Sequence, residues 1–283
     1  MCADPGLPEA DSRGTFMLTT RLPPVGGAGA TLAVAVSAVL PVFAVYPMPI
    51  QTATETEAVY LFNADTGKTL LTQNADQPRY VASLTKMMTA LLLLESGKDL
   101  NGEVTVPTDL TQEFKDIQNA NGTTMGLRIG ETVRRIDLLN ALLITSANDA
   151  ASVIAWDVGG SLNAFIQQMN ARAAELGCTS ATFTCAHGLY DYGNVASAED
   201  MAKIAAACAA NETFAQVAGS TTYTLGQTNF HSEQRTISSS NPLMDASGAY
   251  YKDSVKWSRA VLPPWQAAVR WPLPKRTATP TAL

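Results

Sequence analysis

Histidine is nearly absent: two occur in 283 residues, His187 and His231. A histidine-based catalytic triad or a histidine-rich metal site is therefore poorly supplied. Cysteine is scarce too, with four residues and no Cys-x-x-Cys pair. That removes the usual zinc and redox motifs. Cys178 and Cys185 are close enough to bridge across a tight connection in an exported protein, and otherwise stay thiols. No basic cluster occurs in the body of the chain, and the net charge is −6. Nucleic acid is therefore not expected as a partner. No internal repeat is present. What remains is a composition 46% hydrophobic and 16% charged, which reads as globular with a sizeable core.

Charge is also missing from residues 22 to 54. Within them, Ala28 to Tyr46 is an apolar stretch preceded by Arg13 and Arg21. It reads as an export signal or, being long for a cleaved one, as a membrane anchor. A buried core helix is the structural alternative. Pro41 and the many small residues favour cleavage after Ala44. Asp4, Glu9 and Asp11 are unusual ahead of a signal, which makes Met17 a candidate start. Residues 1–54 are thus expected to be a signal or anchor with an extension, and the protein to be exported.

Beyond that segment, two β-prone runs, Ala58 to Phe62 and Thr69 to Thr72, flank Ala64-Asp65-Thr66-Gly67 and predict a hairpin. Helical runs follow from Leu84 to Glu95, Arg135 to Ile144 and Asp149 to Val158, then from Ser161 to Gly177 and Met201 to Ala210. Ser197-Ala198-Glu199-Asp200 reads as a capping box, and Thr221 to Thr224 as a strand. Strands, a helical block and strands again predict an α+β fold, helices against an antiparallel sheet.

Ser83-Leu84-Thr85-Lys86 opens the first helical run. Residues three apart share a helix face, so Lys86 lies within reach of the Ser83 hydroxyl. A serine becomes a nucleophile only beside a base, and a lysine serves when it is deprotonated. An ordinary N-cap serine is the structural alternative. Ser146-Ala147-Asn148 joins the second and third helical runs and can aim a hydroxyl and a carboxamide into a cleft. Its structural alternative is a connection in which Ser146 or Asn148 caps the next helix.

Together these motifs resemble the penicillin-interacting serine enzymes, whose pattern is Ser-x-x-Lys, Ser-x-Asn and Lys-Thr-Gly. More specifically, the chain is similar to serine-type D-alanyl-D-alanine carboxypeptidases, the low-molecular-mass penicillin-binding proteins. Ala58 to Asn74, Tyr80 to Ala90, Leu142 to Ala151, His187-Gly188-Leu189, Ser197 to Ala202 and Asn241-Pro242-Leu243 carry the resemblance. It implies a β-lactamase/transpeptidase-like fold over residues 55–256. It also implies cleavage of a peptidoglycan stem peptide ending in D-alanyl-D-alanine through a Ser83 acyl-enzyme. Lys86 would be the base, Ser146 a proton relay and Asn148 a holder of the substrate amide, with β-lactams as inhibitors and no metal or organic cofactor implied. A β-lactamase fits less well, because such enzymes usually carry Asp where Ala147 stands. A non-catalytic wall-peptide or partner-binding protein of the same fold is the alternative.

The resemblance stops at Lys256. Lys-Thr-Gly occurs nowhere, and residues 257–283 hold three of the four tryptophans, five of the fifteen prolines, four basic residues and no acid. Prolines at that density exclude a regular strand through most of the segment. The catalytic domain is therefore expected to be incomplete at its C-terminal strands and impaired. A frameshift or misread gene end accounts for the segment, with a divergent tail as the alternative.

Overall fold

The computed structural model describes residues 58–251 except 65, 190, 242, 243 and 250. The expectations for residues 1–54 and 257–283 lie outside the described residues. The first two strands, β1 (Val59–Phe62) and β2 (Thr69–Gln73), form the antiparallel hairpin, with a register shift at Leu61/Phe62. Gly67 takes φ +67° at its turn, where a Cβ would be strained. Strand β3 (Arg79–Tyr80) leads into a 3₁₀ turn, Ala82–Leu84, and then α1 (Thr85–Glu95). Strands β4 (Glu103–Thr105) and β5 (Thr132–Arg134) bracket α2 (Thr111–Asn119). After them come α3 (Arg135–Asn140), a π-helical turn at Ala141–Thr145, α4 (Asn148–Gly159) and α5 (Leu162–Glu175). Strand β6 (Val195–Ala196), α6 (Ala198–Ala209), α7 (Glu212–Ala218), β7 (Thr222–Leu225) and β8 (Arg235–Ser238) complete the described part.

Helix α1 is the axis of the core. Met88, Ala90 and Leu93 are fully buried, and Met87 and Leu91 nearly so. A helix apolar on most sides belongs inside a protein. It packs against α4 and α6. Helix α4 offers Ala150, Ala151 and Ala155 beside Val153 and Ile154, all fully buried, and these small side chains let its backbone come close. Removing a large side chain from such a core, as in Leu91→Ala, costs about 2–5 kcal/mol.

Several elements differ from expectation. Helices against antiparallel strands are as expected, but among the described residues the pairing is divided over four two-stranded ladders: β1–β2, β3–β6, β4–β5 and β7–β8. A lone ladder is marginal in water, so these gain stability by leaning on helical segments, β1 on α6 and β8 on the Ala141–Thr145 turn. Cys178 and Cys185 are thiols, not a disulfide. Their sulfurs take separate partners, the Asp200 carbonyl for Cys178 and the Gly188 N–H for Cys185. Helix α6 begins at Ala198, three residues before expectation, because its cap is Ser197, whose Oγ accepts from Asp200 N at 3.1 Å.

The other half of that capping box is missing. The buried Asp200 carboxylate accepts instead from Thr179 N, Ser180 N and Ser180 Oγ, tying α6 to the turn after α5. Burial pushes this carboxyl up, but the Ser180 and Thr179 donors and Lys203 outweigh it and hold it below its ordinary value. A depressed carboxylate stabilises the fold above its unfolded pKa of about 3.9, and that contribution is lost as pH falls through the folded value. Asp200→Asn turns an N–H₂ toward those donors. It is expected to cost about 1–3 kcal/mol at pH 7 and to flatten the acid limb of stability below about pH 4, read by urea melts across pH.

Candidate active site

Ser83 sits in the middle of the 3₁₀ turn that feeds α1, and Lys86 in the first turn of α1. Lys86 is fully buried. Its Nζ donates to Ser83 Oγ at 3.2 Å, to Asn148 Oδ1 at 2.7 Å and to the His187 carbonyl. Two of these partners, an amide oxygen and a backbone carbonyl, can only accept. The third is a hydroxyl, which can also donate. A neutral amine can therefore keep two N–H bonds to Asn148 and His187 and turn its lone pair toward Ser83. Of the three bonds of Lys86 Nζ, only the one to Ser83 can reverse its direction.

Ser146 stands on the other side, its Oγ donating to Ser83 Oγ at 3.1 Å. Its position depends on a local irregularity. Helix α3 widens into the π-helical turn, and Ser146 ends it in the left-handed region at φ +64°. Such π-turns recur at functional sites, and left-handed non-glycine residues persist only where their surroundings hold them.

Neither Ser146 nor Asn148 caps α4. Its N-cap is Ala147, with no side-chain capping bond. Asn148 is committed elsewhere: Oδ1 accepts from Lys86, Nδ2 donates to Thr123 O at 2.9 Å, and its backbone N donates to the same carbonyl. This fixes the orientation of the amide. The next residue, Asp149, takes the N–H groups of Met125, Gly126 and Leu127 at 3.0 Å each. Burial pushes the Asp149 carboxyl up, against those donors and that of Ala150. One dipeptide therefore anchors residues 123–127 to the start of α4.

The segment Thr184–Leu189 closes the site. Thr89 Oγ1 donates to Ala186 O, Asn194 Nδ2 donates to Thr85 Oγ1, and Tyr80 OH donates to Gly188 O. The sequence motifs did not reveal the His187 carbonyl as a partner of Lys86, because a backbone acceptor has no side-chain identity. The only available sign was Gly188, which takes φ +73°. Thr123, Asp149 and Asn194 were missed as well, since single polar residues in loops carry no pattern.

A serine hydroxyl lies between a buried lysine and a second serine, on a helical block flanked by short antiparallel ladders, and the fold is β-lactamase/transpeptidase-like. The crystal structure of the Streptomyces K15 DD-transpeptidase superposes with a TM-score of 0.60 at 30% identity, over 66% of this chain and 74% of that one. A D-alanyl-D-alanine carboxypeptidase from Mycobacterium tuberculosis H37Rv gives 0.59 at 27%, over 67% and 68%. D-alanyl-D-alanine carboxypeptidase DacF of Bacillus subtilis is 33% identical over 153 residues, 54% of this chain and 39% of that protein. DacC of Escherichia coli is 35% identical over 154 residues, 52% and 38%. The chain thus spans about two-fifths of these curated relatives. Residues 47–253 match the D-alanyl-D-alanine carboxypeptidase family, and the chain belongs to it.

Proposed function

We propose that this protein is a serine-type D-alanyl-D-alanine carboxypeptidase acting on peptidoglycan stem peptides, and that residues 257–283, which stand where the family's Lys-Thr-Gly strand would follow, impair it. The observation that carries this is Ser83 Oγ held by both Lys86 Nζ and Ser146 Oγ. Lys86, as a neutral amine, takes the Ser83 proton while Oγ bonds to the carbonyl carbon between the two D-alanines. The carbon–nitrogen bond breaks, and the proton passes through Ser146 to the leaving D-alanine amine. Water then enters the acyl-enzyme and releases the shortened peptide. Asn148 fixes Lys86 with its oxygen, and the second N–H of its amide is assigned to the substrate's amide carbonyl. β-Lactams, which resemble the D-alanyl-D-alanine end, acylate the same Ser83.

Residues 22 to 54, uncharged behind two arginines, support export to the outer face of the membrane or the cell wall. Among the described residues no helix is long and apolar enough to cross a membrane. Cell fractionation tests this, and a mainly cytoplasmic protein would refute it.

The Ser83 N–H supplies one oxyanion donor, and the family's third motif would supply a second from its backbone. Loss of one such donor costs about 10²–10³ in rate. Replacing residues 257–283 with a strand bearing Lys-Thr-Gly is expected to raise hydrolysis of a D-alanyl-D-alanine peptide by at least about 10². Equal rates in the two chains would mean that the missing motif does not limit this protein. Residues 257–283, standing where a Lys-Thr-Gly strand would follow, also favour a second reading, a non-catalytic wall-peptide binder of the same fold. Peptide binding by the rebuilt chain without any D-alanine release would support it.

A further inference from the structure

Two of the partners of Lys86 Nζ can only accept, Asn148 Oδ1 and the His187 carbonyl, and they come from separate pieces of chain. Asn148 opens α4, while His187 belongs to the Thr184–Leu189 segment. A link between the two lies behind the lysine, in the first turn of α2. There Glu113 Oε1 accepts from Ser152 Oγ at 2.9 Å and meets His187 Nε2 at 3.0 Å. Ser152 is fully buried on α4, one turn after Asn148, and its Oγ also reaches the Asn148 carbonyl at 3.4 Å. One carboxylate oxygen thus closes a ring that runs from Lys86 through Asn148, Ser152, Glu113 and His187 back to Lys86.

The hydrogen bonds place the proton of the imidazole. His187 Nδ1 accepts from Leu189 N at 3.0 Å, so the ring carries its proton on Nε2 and donates it to Glu113. With both nitrogens engaged, the ring is fixed in plane and direction. The same Cα carries this ring and the carbonyl that accepts from Lys86, so a hold on one limits the other. Beyond the ring lies a cavity of about 390 Å³ between α2, α5 and the same segment. Packing is incomplete on that side, and the bond to Glu113 supplies the restraint that contact does not.

We propose that Glu113 is a positioning residue for the Ser83 reaction: it sets the spacing of the two acceptors of Lys86 and so aims the lysine lone pair at Ser83. The inference rests on Lys86 being the base. Glu113 acts through Ser152 and His187, which hold the two acceptors, and takes no proton from the substrate. A misplacement of about 1 Å at a reacting group costs up to about 10² in rate, so a group this far from the chemistry can still govern it.

The test follows acylation of Ser83 by a fluorescent penicillin in the full chain and in the chain rebuilt with Lys-Thr-Gly. It is run at about pH 8, above the ordinary imidazole value of about 6.5. Glu113→Ala is expected to slow the acylation step by about 10–10², with the dissociation constant of penicillin unchanged. Glu113→Gln keeps an oxygen for both donors and should restore most of that loss. In a Lys86→Met background, adding Glu113→Ala should leave the residual rate where it is, because residues that act as one unit are not additive. Simple loosening of the fold would slow acylation in both backgrounds. Ser152→Ala releases only the α4 end; it should give a smaller loss that also vanishes in Lys86→Met, and it decides if Glu113→Ala does not fold. A folded Glu113→Ala at the parental rate would overturn the proposal. So would a Glu113→Gln as slow as Glu113→Ala, a further loss on top of Lys86→Met, or a change confined to the dissociation constant. Lys86→Met at the parental rate would instead remove the base itself, and this inference with it.

Discussion

Gly188→Ala is expected to destabilise the protein by about 3 kcal/mol or more. Gly188 has φ +73°, and an added Cβ would lie 1.8 Å from Ala82 O, 2.5 Å from Ala82 C and 2.7 Å from Thr85 Oγ1. Two of those three atoms are backbone, so no side-chain rotation relieves the overlap. Ala82 is itself held in the left-handed region at φ +47°. The new methyl would therefore push against the turn that carries Ser83, a residue already strained. Left-handed strain in a non-glycine residue costs about 1–3 kcal/mol, and overpacking adds about 1–3 more. For a protein of this size, 3 kcal/mol is a fall of about 6–12 °C in melting temperature. Acylation of Ser83 should fall in parallel, because Tyr80, which donates to Gly188 O, sits three residues before Ser83. A melting temperature within about 1 °C of the parent would show that residues 184–189 yield freely and do not brace the site.

Lys86→Met is expected to abolish acylation while the fold survives. Methionine nearly matches the lysine stem in volume, so little packing is lost. Asn148 Oδ1 and the His187 carbonyl each lose a donor, at about 1–3 kcal/mol, partly offset because no ammonium is buried. The effect on rate is larger. General base catalysis is worth about 10²–10⁴, so a fall of about 10³ in penicillin acylation is expected, followed in the chain rebuilt with Lys-Thr-Gly. The pairing of a small change in stability with a large change in rate marks a catalytic group. Near-parental acylation by a folded Lys86→Met would remove Lys86 as the base.

Much of this was legible from the chain, for reasons that differ by element. The hairpin and the runs that became α1, α4 and α5 announced themselves by residue type and punctuation, such as Gly67 at its turn and Ser161 at its cap, where Oγ accepts from Ala164 N. Ser83 and Lys86 were marked by their spacing, Ser146 and Asn148 by the resemblance that the two motifs carry together, and the structure brings all four together. Helix α2 escaped notice because Thr111–Asn119 is largely polar, with Phe114 and Ile117 as its only apolar residues. Strand β8 is four residues, Arg-Thr-Ile-Ser, too short and too polar to stand out before its pairing with β7 is known. The π-turn before Ser146 was hidden because Ala141–Thr145 is ordinary helical sequence, and only the demand for a left-handed Ser146 distinguishes it. Lys86's bond to the His187 carbonyl arises from tertiary folding over 101 residues of separation, which no local pattern encodes.

The nucleophile itself is tested most directly by mass. The full chain is incubated with excess penicillin until reaction stops, digested, and the modified peptide sequenced. One penicilloyl group on Ser83, absent from a folded Ser83→Ala variant, is the predicted result. An adduct that persists in Ser83→Ala, or an unmodified Ser83 in both the native chain and the chain rebuilt with Lys-Thr-Gly, would contradict the assignment.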